Sequence, residues 1–123
     1  MSDLVFWLYF ANSVLLIIHE IDSAYWKEWE LFRLPGGLSG FLLIHFPLLM
    51  FVLYGLVLLV KENFAGLVFS LCLSLGGIFA FSIHTWFLQQ GREEFSPLVS
   101  RIILASTLAV SVVQFTVTVY VMV

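Results

Sequence analysis

The residues in this chain able to do chemistry are three histidines and a few carboxylates set in apolar surroundings. His19 and Asp22 are three apart, a spacing that puts both on one face of a helix. Glu20 adjoins His19 but points about 100° around that helix. His45 and His84 come from two other apolar stretches. Three imidazoles and a carboxylate are enough to hold one metal ion. Three protein ligands and an open water position make the pattern of catalytic zinc, and His with carboxylate also suits iron or manganese. The candidate metal ligands are therefore His19, Asp22, His45 and His84, with Glu20 as the candidate catalytic base. Such an ion would bring the pKa of its bound water to about 7 and polarise an ester or phosphoryl oxygen. No His-Glu-x-x-His segment and no Cys pair is present, so no local motif specifies the metal.

Other chemistries use the same residues. His45 and His84 alone could be the two axial ligands of a haem b in a helical bundle, with Gly76 and Gly77 leaving room for a flat macrocycle. Ionisable residues inside a membrane also mark ion and proton pathways, so a small transporter is a further reading. A His near a helix end often only bonds a carbonyl, as it would in a structural subunit of a larger membrane complex. A dinuclear site is disfavoured. It would need Glu-x-x-His pairs on two helices and Glu on two more, and no embedded carboxylate lies in the last three apolar stretches.

The elements that must position these groups are set by composition. Of 123 residues, 62% are hydrophobic and 11% charged, and mean hydropathy is +1.08. Soluble domains are about 45–50% apolar and about 25% charged. Intrinsic disorder is excluded by this hydrophobicity. Nucleic-acid binding is excluded by 5 Lys plus Arg and a net charge of −3. The single Cys72 excludes a disulfide scaffold.

What remains is an all-α integral membrane bundle, one domain of four transmembrane helices. The spans fall at about residues 4–21, 38–60, 64–88 and 98–123. Lys61-Glu62-Asn63 is a tight turn, so the second and third spans are antiparallel neighbours. Residues 22–37 form an amphipathic, interfacial segment. Its Tyr25, Trp26, Trp29 and Phe32 suit the headgroup layer, and Pro35-Gly36-Gly37 resets the chain. Glu28, Glu30, Glu93 and Glu94 are expected in water near the same face. Lys27, Arg33, Arg92 and Arg101 lie on one side and Lys61 on the other, so the first and third loops are expected to be cytoplasmic and both termini outside.

With this layout all three histidines fall in the same half of the membrane. His45 is about 10 Å, and His84 about 6 Å, from the cytoplasmic face. A site there would be reached from the interface, which points to a lipid or other amphipathic substrate for a hydrolase or an oxidoreductase. Gly66, Ser70 and Ser74, and likewise Ala105 and Ala109, make small-residue ladders for close helix packing, within the chain or across a homodimer. Gln114 is expected to link helices. Pro47 frees a carbonyl in the turn before it, beside His45.

The stretch His19-Glu20-Ile21-Asp22-Ser23-Ala24-Tyr25-Trp26-Lys27-Glu28-Trp29-Glu30, followed by Leu34-Pro35-Gly36-Gly37, resembles a family of small bacterial four-span membrane proteins of unknown function. The resemblance covers nearly the whole chain, including His45 and Pro47. It implies a membrane bundle in a bacterial inner membrane and no established activity. The chain is also the size of small four-span exporters and fluoride channels that work as dimers. It departs from both: Glu20 is too near a span end for the exporters' carboxylate, and the channels' polar pore residues have no counterpart.

Overall fold

In lipid each backbone N–H and C=O must be paired inside its own segment, which leaves the helix as the element for long apolar runs. A computed structural model describes residues 3–123. Its helices are α1 (Asp3–Tyr25), α2 (Glu28–Leu31), α3 (Gly37–Val60), α4 (Ala65–Gln89) and α5 (Leu98–Met122). The four long helices have the length and apolarity to cross a membrane. The short α2 lies in the connection expected at the interface.

The connection turns sharply. Lys27 takes a left-handed conformation (φ 53°, ψ 56°) as the N-cap of α2, and Arg33 and Gly36 are also at positive φ. The chain thus folds back beneath α1 instead of extending it. α3 runs unbroken through Pro47.

Packing differs at the two ends of the bundle. At the end distant from α2, Val5, Tyr9, Val52, Leu59, Leu67 and Leu73 form the main apolar core. Helices approach closely there: a side-chain carbon at Gly55 would overlap Tyr9, and one at Gly66 would meet the Leu59 backbone. The Tyr9 hydroxyl donates to the Val52 carbonyl at 2.6 Å, tying α1 to α3. At the α2 end, Leu31, Phe95 and Leu104 form a second cluster.

Between them runs a buried polar clamp. Asn12 Nδ2 donates to Ser111 Oγ (3.0 Å) and to Gln114 Oε1 (2.8 Å). Gln114 Nε2 donates to the Ser70 carbonyl (3.1 Å) and hydroxyl (3.0 Å). Ser70 and Thr118 hydroxyls meet at 2.8 Å. Gln114 thus links α1, α4 and α5 of the same chain. The Gly66–Ser70–Ser74 ladder is buried in the same packing, whereas Ala105 and Ala109 face outward.

Candidate functional site

α1 and α4 carry His19 and His84 to one end of the bundle, where both are only 3% exposed. Their rings meet edge to face with centroids 4.8 Å apart. The turn at Lys27 brings Glu28 up to them from α2, and Glu28 Oε2 lies 3.4 Å from His84 Nε2. Ligand atoms of His19, Glu28 and His84 lie within 4.8 Å of one another, the one such group among the described residues. Three donors from three elements converge on one point.

The pair is sealed on its loop side by Phe95. This residue is fully buried and takes a left-handed φ of 67°. Its ring stands 4.2 Å from that of His84 and 5.3 Å from that of His19, centroid to centroid. Phe32 approaches His84 at 6.0 Å. Despite this enclosure, His19 Nδ1, His84 Nδ1 and Glu28 Oε2 are buried with no hydrogen-bond partner. Each such atom costs about 1–3 kcal/mol unless something else satisfies it. A metal ion is one species able to engage all three elements together.

Charge is already arranged here. Burial alone would push the Glu28 carboxyl up, but its contacts with His84 and Ser23 and the charge of the two imidazoles hold it below its ordinary range. Ser23 in turn donates to the His19 carbonyl at 2.9 Å, fixing the last turns of α1.

The remaining sequence candidates sit around this group. His45 Nδ1 lies 2.7 Å from the Phe41 carbonyl, and its Nε2 meets Glu20 Oε2 in a very short contact. A carbonyl only accepts, so Nδ1 carries a proton. Both ring nitrogens of His45 are thereby engaged within the protein. Asp22 lies outside the converging group. It lines a separate pocket between α1 and the start of α5, together with Tyr25, Trp26 and Pro97, and its Oδ2 is buried without a partner.

Glu28 corrects an expectation. Placed in water by the sequence, it is only 16% exposed and sits beside His84. The reason is the left-handed turn at Lys27, for which a lysine gives no warning. Phe95 was missed for the same reason. The one signal that pointed to Glu28 was its place between Trp26 and Trp29, which embeds that segment.

A cavity of about 360 Å³ opens from the group into the bundle, and His19, Glu20, Glu28 and His84 form its polar end. Its other walls are mostly apolar, from α1, α3 and α4. Gly77 packs against Ser111 and Thr107, while a side chain at Gly76 would meet nothing within 4 Å.

A helical bundle of membrane-crossing length with two buried histidines and a half-buried glutamate close together at one end defines the class of this protein. The chain belongs to a family of unknown function, DUF6713, which it matches over residues 5–121. No curated protein and no solved structure matches it.

Proposed function

We propose that this is a metal-dependent membrane enzyme, with one divalent ion held by His19, His84 and Glu28. The observation that carries the reading is the convergence of ligand atoms of buried His19, buried His84 and half-buried Glu28 to within 4.8 Å of one another, from α1, α4 and α2. Two imidazoles and one carboxylate with an open position form a ligand set used by catalytic zinc sites. The donors lie within 4.8 Å of one another, and tetrahedral zinc at about 2.0–2.1 Å would draw them to ~3.4 Å. Zinc, iron and manganese all suit the donors.

Glu20 lines the same cavity and meets His45 Nε2 with its Oε2. It is placed to take a proton from metal-activated water and to return it to a leaving group. The ester or phosphoryl group of an amphipathic molecule is the reaction centre that this chemistry serves. The basic residues Lys27, Arg33, Arg92 and Arg101 share the end of the chain that carries the site. By the positive-inside rule this supports a site on the cytoplasmic side of a bacterial inner membrane.

The test is elemental analysis with an absorption spectrum on detergent-purified protein, beside the double variant His19→Ala/His84→Ala. About one zinc, iron or manganese per chain, lost in the variant, is expected. No metal in the wild type, even after reconstitution, overturns the reading. A Soret band would replace it with haem binding.

A further inference from the structure

We infer that the cavity beside the histidines is the binding site for a single-chain amphiphile with a carboxyl-type head. The hydrocarbon tail lies between α3 and α4, and the head faces His19, Glu28 and His84.

The shape of the cavity specifies the tail. Its volume is about 360 Å³, within the ~300–1,000 Å³ of small-molecule sites. A volume near the lower bound of that range suits one hydrocarbon chain and not the two of a phospholipid. Its walls include Leu48, Phe51, Leu73, Phe79 and Ile83.

The access route specifies where the molecule comes from. Leu48, Phe51 and Phe79 line the cavity and yet are 37%, 43% and 62% exposed. Cys72, another lining residue, is also exposed. α3 and α4 are held together at their loop end, where Phe51 stacks on Phe69 at 4.2 Å and Gly66 abuts Leu59. The gap on the histidine side of that contact therefore faces the lipid-exposed surface, and a membrane-dissolved chain enters sideways.

The polar end specifies the head. His19, Glu20, Glu28 and His84 line the cavity where α1, α2 and α4 meet; the polar residues deeper in it, Asn12 and Thr107, spend their side-chain donors on Ser111, Gln114 and the Ile103 carbonyl, which orients an amphiphile with its head toward the histidines. A carboxyl or ester oxygen supplies the donor that a His–His–Glu metal ion still lacks. The head assignment rests on the metal reading above; the tail assignment rests on the cavity alone.

The test is photolabelling of the purified full chain with tetradecanoic acid carrying a mid-chain diazirine, adducts being mapped by mass spectrometry. Saturable adducts on the α3 and α4 residues that line the cavity are expected. The variant Gly76→Phe should lose them by about tenfold or more, because its ring enters open space in the cavity, while its bound metal stays at the wild-type level. Unlabelled tetradecanoic acid should compete at least about tenfold better than tetradecane, and dimyristoyl phosphatidylglycerol should not compete. Absence of saturable labelling, or equal labelling of Gly76→Phe, overturns the tail site. Equal competition by tetradecane overturns the head assignment, and competition by phosphatidylglycerol overturns the single chain. Wild-type protein that takes up no metal even after reconstitution, yet still shows the Gly76-sensitive labelling, sinks the metal reading and the head assignment and leaves the tail site standing.

Discussion

At the scale of residues, Glu28 and Asp22 separate what geometry assigns from what spacing suggests. Both are carboxylates close in sequence to His19, and only Glu28 has an oxygen in the converging group. Glu28→Gln is expected to weaken metal binding by about 10–100-fold, while Asp22→Asn leaves stoichiometry and affinity near wild type. Titration of metal-free protein with zinc, followed by calorimetry, checks both. Glu28 also sets a pH dependence. Its folded-state carboxyl lies below the ordinary value of 4.5, so the folded protein binds fewer protons there than the unfolded chain. The stability it contributes is complete above about pH 4.5 and is lost as pH falls through the lower folded value. Thermal unfolding of the metal-free protein across this acid range should show that slope, and Glu28→Gln should flatten it.

At the scale of elements, the polar clamp holds α1, α4 and α5 in register below the site. Replacing Gln114 by Leu leaves Asn12 Nδ2 short of one acceptor and the Ser70 carbonyl short of a donor. Interhelical bonds in membranes average about 0.6 kcal/mol with a maximum near 1.7, so a loss of about 1–2 kcal/mol is expected for the pair. Equilibrium unfolding in mixed micelles with increasing dodecyl sulfate measures it. The spans were legible from hydropathy, because lipid permits a long apolar run little besides a helix. The nearness of His19 to His84 was also foreshadowed by their shared depth. Asp22 follows His19 by three residues, but residues three apart share a face only broadly: His19 turns to α4, while Asp22 lines a pocket on the α5 side. Glu28 and Phe95 were hidden because each depends on a left-handed turn at a non-glycine residue, Lys27 or Phe95 itself. Side chains that tolerate such a turn poorly do not advertise it.

At the scale of the whole molecule, binding and folding are linked. The three proposed ligands come from α1, α2 and α4, so an ion joins parts of the chain far apart in sequence. An ion present at about 100 times its Kd should raise stability by about 2.7 kcal/mol. Unfolding with and without chelator checks this, and His84→Ala should abolish the difference. The conformation of α2 is expected to respond in the same measurement, since Glu28 is carried by a helix of 4 residues.

Phe95 has one more consequence. Its ring stands against the loop side of the histidine pair, while the cavity opens beside exposed residues of α3 and α4, the surface that meets hydrocarbon in the proposed membrane setting. Traffic with water and traffic with the bilayer therefore run at different speeds. Hydrophilic chelators should strip the protein over a long half-time, set by transient displacement of that ring. Membrane-dissolved molecules are instead sampled at their two-dimensional concentration, which partitioning keeps far above their level in water. Catalysis by such a centre would saturate with the mole fraction of substrate in the membrane, and adding more aqueous volume would leave its rate unchanged.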